Sequence, residues 1–363
     1  MWRVGLIGTG YWSANHLTAW RRIPGVHVAA LCNRSRGKLE QRGLEFGIPP
    51  EHLYTDLEAF LQRDDLQIID IATGPETHLD LVTRAARAGK HIMCQKPFAM
   101  SPEEAEEMVR VVRECGVRLM VTENWRWLQP NQLIKKVLDE GTLGRVRVCR
   151  YIHTDYYTPR MAPGTPLPQP FFREMPRLLF YEMGAHWFDT LRFFFGDPKR
   201  LYAETLRISP HIAGEDSGIV TLGYDDAYVI MDMSWATRRE LDGPPGEPVR
   251  AEHREQIAIE GDRGTLKLYA GGRIALIDAG GVETTLAERT ELDHAESHYR
   301  LQSHFIDCLN SGQPFQTSGE DNLKTLSLIF SVYRSAERRE AVHDPAGAFR
   351  PKRAEGTDVA QPG

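Results

Sequence analysis

The feature that most constrains the fold is an alternation of short apolar runs with helical patterns through the first third of the chain. Val4–Ile7, Val26–Cys32, Ile68–Ala72, His91–Cys94 and Arg118–Thr122 read as strands, with Tyr11–Arg21, Arg36–Phe46 and Thr77–Ala88 as helices between them. A further helix starts at Ser101, where Ser101-Pro102-Glu103-Glu104 supplies an N-cap hydroxyl, a proline at the first helical position and a carboxylate at the third. Strands separated by helices return in the same direction, so the pattern predicts an α/β fold with a parallel sheet and helices on both faces. At 363 residues the chain is too long for one ordinary core. We divide it into residues 1–122, the parallel-sheet unit, residues 123–345, a second α/β unit, and a polar, loose tail at 346–363.

The first turn in this pattern, Gly8-Thr9-Gly10, follows a strand and precedes a helix, the context in which a glycine pair reads as a dinucleotide turn. Gly8 permits the tight turn, and Gly10 lets the backbone approach a pyrophosphate at the helix N-terminus. Ser13, at the third glycine position, is still small. Gly8, Thr9, Gly10, Tyr11 and Trp12 are therefore candidate cofactor contacts. The second strand ends in Cys32-Asn33-Arg34-Ser35-Arg36, with no carboxylate to hold a ribose diol and two arginines able to pair a 2′-phosphate. With Asn33, Arg34 and Arg36 as contacts, this favours NADP over NAD.

A net charge of −6 argues against a nucleic-acid partner. The five scattered cysteines show no CxxC spacing, which reads as reduced thiols of a cytoplasmic protein and gives no metal framework. No apolar run approaches the ~20 residues of a membrane span, and no signal-peptide pattern precedes the first strand.

Chemistry-bearing residues cluster at three further places. Lys96, followed by Pro97, comes at the C-terminal end of a strand, where open α/β sheets place their ligand crevice. Thr73, Pro75, Glu76 and His78 follow the preceding strand and line the expected cofactor trough. In the second half, Glu182, His186 and Asp189 share one helix face, opposite Phe180, Gly184, Trp187, Leu191 and Phe195. A histidine suits the proton traffic of a carbinol–carbonyl reaction because its ordinary pKa is ~6.5. A carboxylate at 182 or 189 can orient it. The Pro- and aromatic-rich loop 156–177 precedes this helix and is long enough to cover a substrate. Later strands at 145–154, 218–224, 227–236, 255–261, 265–269, 274–277 and 282–285 read as a mostly antiparallel meander, closed by helices at 299–310 and 322–336.

Together with the opening glycines, Ala72-Thr73-Gly74-Pro75-Glu76-Thr77-His78, Ala88-Gly89-Lys90-His91…Gln95-Lys96-Pro97 and Glu182-Met183-Gly184-Ala185-His186 resemble the glucose–fructose oxidoreductase / inositol dehydrogenase / rhizopine catabolism (Gfo/Idh/MocA) family. The resemblance implies an N-terminal Rossmann domain and a C-terminal domain with a large open, mostly antiparallel sheet, one face of which meets another subunit in a homodimer or homotetramer. It implies NAD(P)-dependent oxidation or reduction of a sugar, cyclitol or related polyol, with Lys96 and His186 handling the proton and Glu182 beside them. It brings Gln95, Lys96 and Asn124 to the cofactor, and Arg126, Trp127 and Tyr156, with Lys96, Glu182 and His186, to the substrate. Gln95 and Glu182 depart from the Glu and Asp usual at those places. Two other readings use the same fold: a glycoside hydrolase that oxidises its substrate transiently on a retained NAD, and a non-catalytic nucleotide- and sugar-binding regulator. Retention of Lys96 and His186 argues against the second.

Overall fold

The computed structural model describes residues 1–167, 169–237 and 255–347. Most of the expected tail lies outside them. The first half builds β1 (Trp2–Ile7), α1 (Ser13–Arg22), β2 (Val26–Cys32), α2 (Arg36–Glu45), β3 (Leu53–Tyr54), α3 (Leu57–Leu61), β4 (Ile68–Ile71), α4 (His78–Arg87), β5 (His91–Gln95), α5 (Pro102–Glu114) and β6 (Leu119–Thr122). All six strands run parallel, in the order β3-β2-β1-β4-β5-β6. Order reverses between β1 and β4, which opens a crevice at their C-terminal ends. The strands are near-continuous apolar runs because both faces are covered. Ser101 caps α5 as its sequence predicts, accepting from the amide of Glu104.

The second half continues with α6 (Gln129–Asp139), β7 (Val146–Thr154), α7 (Leu179–Glu182), α8 (Gly184–Phe195), β8 (Arg200–Leu206), β9 (Ser217–Gly223), β10 (Tyr228–Ser234), β11 (Glu255–Gly261), β12 (Gly264–Leu268), β13 (Ile274–Asp278), β14 (Glu283–Ala287), α9 (His294–Ser311), α10 (Gly319–Arg338) and β15 (Val342–His343). Its nine strands form one open sheet, β14-β13-β12-β11-β7-β10-β9-β8-β15. Every neighbouring pair is antiparallel except β7 and β10, and the order departs from a pure meander where β7 lies between β11 and β10 and where β15 joins β8. Side chains such as Tyr151, Val220, Met231 and Ile257 bury one face of this sheet. Ile219 and Tyr228 stay exposed on the other, the face that the sequence reading expects a second copy to cover.

The chain does not leave its first sheet for good. Leu301 and Phe305 of α9 join Leu17 and Trp20 of α1 in one buried cluster. Thr317 then pairs with the outer edge of β6, accepting the Val121 amide proton on its carbonyl (2.8 Å) and donating its hydroxyl to the Val121 carbonyl (2.8 Å). An edge that would otherwise offer unpaired backbone groups is thereby covered.

The Pro-rich loop is pinned at both ends. Thr158 donates its hydroxyl to Asp216, and Phe172 packs between Tyr157 and Trp235. Arg173 donates to the carbonyls of Met161, Ala162 and Thr165. Glu215 accepts the amides of Leu178 and Phe180, which fixes the entry into α7.

Candidate active site

The glycine turn after β1 has room for one kind of guest. Gly8 has φ +97°, and a Cβ there would stand 2.6 Å from the Ala72 carbonyl oxygen, so only glycine fits. At Gly10 nothing lies within 4 Å of where a Cβ would be. Ser13 Oγ and Arg42 Nη2 both donate to the Gly10 carbonyl, at 2.7 and 3.1 Å, which ties down the acceptor side of the turn. α1 has no side-chain cap, and among the described residues the amides of Gly10, Tyr11 and Trp12 have no acceptor. Thr9 Oγ1 is buried without a partner. Open donors, an uncapped ten-residue helix and a bare glycine face suit the pyrophosphate of a dinucleotide.

At the end of β2, Asn33 is held to the β3 backbone through its amide (3.0 Å to the Tyr54 carbonyl). Arg36 pairs with Glu40 one turn on. Arg34 is exposed and has no ion pair among the described residues. After β4, Thr73 and Thr77 hydroxyls meet at 2.7 Å, with Pro75 between them in a short turn and Glu76 exposed. His78, expected in the trough, is instead buried. Its ring nitrogens stand 3.0 Å from the Phe98 carbonyl and 3.2 Å from that of Thr73, so it ties the turn bearing Lys96 to the turn after β4.

Gln95 also faces inward. Its Oε1 accepts the Lys96 amide proton (2.7 Å) and its Nε2 donates to His16 Nε2 (3.1 Å). His16 Nδ1 then donates to Asp70 (2.9 Å), which also accepts from Trp20 Nε1 (2.7 Å). A buried chain of hydrogen bonds beneath the crevice thus fixes the backbone of Lys96.

The helix expected to carry Glu182 and His186 on one face is interrupted at Met183, which separates α7 from α8. The consequence is a correction of partners. Glu182 does not orient His186; its Oε1 accepts from Lys96 Nζ at 2.5 Å, and its carbonyl accepts from the same nitrogen at 3.2 Å. Nor does Asp189. Fully buried, it takes a two-pronged ion pair from Arg126, Nε to Oδ2 at 2.6 Å and Nη2 to Oδ1 at 2.7 Å. Arg126 donates further to Asp321 (3.0 Å) and the Gln316 carbonyl (3.0 Å), so the guanidinium expected at the substrate serves the junction between the two halves. Trp127, also expected there, packs in the core beside His304 and Met120. α8 is buried on nearly all sides, not only on its apolar stripe.

The imidazole finds its carboxylate on another element. Immediately after β6, buried Glu123 sets Oε1 2.5 Å from His186 Nδ1 and 3.2 Å from the Trp125 amide, whose proton it accepts. The Trp125 ring stacks on the His186 ring at 4.7 Å and 8°. Nε2 is left with no hydrogen-bond partner among the described residues. Burial, aided by the Lys96 charge, pushes His186 well below the ordinary histidine range, and burial pushes Glu123 up to about 7. Asn124 donates to Ser297 Oγ (2.7 Å), beside His294 of α9, and Trp12 packs edge-on against the same histidine. Tyr156 lies at the mouth of the loop, paired with Ala236 through the backbone.

Sequence reasoning missed Glu123, Trp125 as a stacking partner, and His294. The signal for Glu123 was present: a carboxylate one residue past the C-terminal end of a parallel strand, at the crevice end of the sheet. Among the described residues no group of three or more His, Cys, Asp or Glu is placed to hold a metal, and no helix is long and apolar enough to cross a membrane.

The fold and the crevice have known counterparts. The family described as "oxidoreductase family, NAD-binding Rossmann fold" matches residues 2–123, and the GFO/IDH/MocA C-terminal domain matches residues 131–267. A D-apiose dehydrogenase of Paraburkholderia graminis is 36% identical over 349 residues, 93% of this chain and 88% of the relative. A D-apiose dehydrogenase of Rhizobium rhizogenes is 34% identical over 346 residues, 93% and 96%. The crystal structure of an oxidoreductase from Agrobacterium radiobacter in complex with NAD+, L-tartaric acid and magnesium superposes with a TM-score of 0.85 at 33% identity, covering 95% of this chain and 99% of that one.

Proposed function

The chain belongs to the Gfo/Idh/MocA family of NAD(P)-dependent oxidoreductases acting on CH–OH groups, and from that premise we propose that it moves a hydride between NADP and a carbinol or carbonyl carbon of a small sugar or polyol. The bound dinucleotide supplies one thing, a nicotinamide carbon that takes or gives the hydride. The chain supplies the rest. The open amides after β1 hold the pyrophosphate, and the turns after β4 and β5 border the trough. Lys96, held by Glu182, donates a hydrogen bond to the reacting oxygen, and His186 Nε2 exchanges its proton. The observation that carries this reading is the convergence of Lys96 and His186 at the C-terminal ends of β5 and β6, each with its own carboxylate. D-apiose stands first among test substrates, because it names the activity of two relatives that are 36% and 34% identical; a 1,5-anhydro-D-fructose reductase at 31% adds anhydro sugars to the panel.

The NADP preference rests on the end of β2, which has no carboxylate and an unpaired Arg34. The Agrobacterium radiobacter relative was solved with NAD+, so the two cofactors need direct comparison. Fluorescence titration of the parent is expected to show tighter binding of NADP, and Arg34→Ala to weaken NADP roughly ten- to a hundredfold, as for loss of one charge-assisted hydrogen bond. Binding of NAD should scarcely change. Equal affinities in the parent would defeat the preference and leave the hydride-transfer reading standing.

A further inference from the structure

We propose that Glu123 and His186 form a two-proton relay: the proton leaving the substrate hydroxyl enters at His186 Nε2 while the Nδ1 proton passes to Glu123 Oε1. Glu123 is then a positioning and proton-holding residue that never touches the substrate. The proposal rests on the hydride-transfer reading above and assigns where the proton goes within it.

The geometry points one way. Nδ1 and Oε1 are 2.5 Å apart, and the Trp125 amide and stacked ring hold both partners in place. Oε1 already accepts one N–H, so with Glu123 ionised the imidazole must be the Nδ1–H tautomer, leaving Nε2 as the base. Glu123 Oε2 is buried without a partner among the described residues. A carboxylate with one bare buried oxygen is costly, and protonation relieves that cost. An imidazolium, by contrast, would sit buried with Lys96 close by. The groups facing His186 are Lys96 after β5, Glu182 of α7, His294 and His298 of α9, Asp189 of its own helix, and Glu123 after β6, which Arg126 in turn faces. Lys96, His294 and His298 oppose a positive ring; Glu182 is bonded to Lys96 and Asp189 to Arg126.

In the oxidative direction the bookkeeping closes. The substrate O–H bond breaks and N–H forms at Nε2. The Nδ1–H bond breaks and O–H forms at Oε1. The C–H electron pair leaves as hydride, for which a bound nicotinamide would be the acceptor. The couple gains one proton in total, the ring stays neutral, and the charge that changes is the one on Glu123. The opposed shifts agree with this: burial raises the carboxyl to about 7 and drives the imidazole down.

Nitrogen-15 spectra of histidine-labelled protein, without substrate, test the relay, with His186→Ala assigning the signal. As pH falls through neutrality, the His186 ring is expected to pass from Nδ1–H to Nε2–H without showing an imidazolium. An imidazolium signal, or one tautomer throughout, overturns the proposal. A second arm uses Glu123→Gln, whose amide oxygen still accepts from Nδ1 and from the Trp125 amide but cannot take the proton. Oxidative kcat should fall by ~100-fold or more and lose its pH dependence near neutrality, with NADP affinity within about twofold of the parent. Glu123→Asp should recover part of the rate. A Glu123→Gln enzyme with parent kcat and pH profile overturns the relay alone, whereas a parent that reduces and oxidises nothing defeats the functional reading and leaves the nitrogen-15 result to judge the relay.

Discussion

His186→Ala and Lys96→Ala are each expected to lower turnover by ~10²–10⁴ while leaving cofactor affinity nearly intact, the range typical of a lost general acid–base group. The separation follows from the layout. In the proposed layout the turn after β1 and the neighbouring strand ends would hold the dinucleotide, whereas Lys96 and His186 would act at the reacting oxygen. Glu182→Gln should do less, about tenfold, because it removes the charge that holds the Lys96 ammonium and leaves the ammonium in place. In the parent, oxidative rate should rise with pH through an apparent value near 7, because the base form of the Glu123–His186 couple is the deprotonated one. His186→Ala removes that limb and Glu182→Gln does not. The check is a fluorescence titration of NADP into each variant, followed by steady-state turnover across pH. A His186→Ala enzyme with near-parent turnover would reduce the Glu123 contact to packing.

Asp189→Ala carries the largest expected cost in stability. The carboxylate is fully buried, paired with Arg126 on both oxygens, and Arg192 lies beside it at 3.9 Å while bonded to Asp321. Removing it leaves buried guanidinium charge poorly compensated, a change that costs about 3–5 kcal/mol in such settings. Asp321 still faces both arginines, so the lower part of that range is the better expectation. Thermal unfolding should shift down by roughly 5–10 °C, given the shallow dependence of Tm on stability in larger chains. The sequence reading, in which Asp189 on a polar helix stripe can orient the His186 imidazole, predicts little change in Tm and a lowered kcat. Parent-like stability with a lowered kcat would restore Asp189 to the imidazole.

These two variants also mark how far the sequence reads. The parallel sheet, the glycine turn, Lys96 at a strand end and His186 on a helix were all legible, because each is a local pattern: an apolar run, a strand–turn–helix junction, a spacing of four. Partners were not. Glu123 and His186 are 63 positions apart, Lys96 and Glu182 are 86 apart, and local spacing cannot see across either gap. Reasoning from a helical i,i+4 pair assigned Glu182 to His186, and the interruption at Met183 broke that inference. The same limit hid α9, which reads as a closing helix of the second half yet packs its apolar side on α1. Arg126 and Trp127 illustrate the opposite error. The family resemblance brought both to the substrate, but here one satisfies a buried carboxylate and the other fills a core.

Net hydride transfer would show in the absorbance of reduced nicotinamide during incubation of the protein with NADP or NAD and a panel of pentoses, cyclitols and anhydro sugars, with product analysis of the same mixtures. Stoichiometric reduced cofactor and an oxidised sugar are expected from at least one member, and both should be lost on His186→Ala. Sugar cleavage with no net reduced cofactor would support a hydrolase that oxidises its substrate only transiently, and binding of both ligands with no conversion a regulator; either result contradicts net hydride transfer.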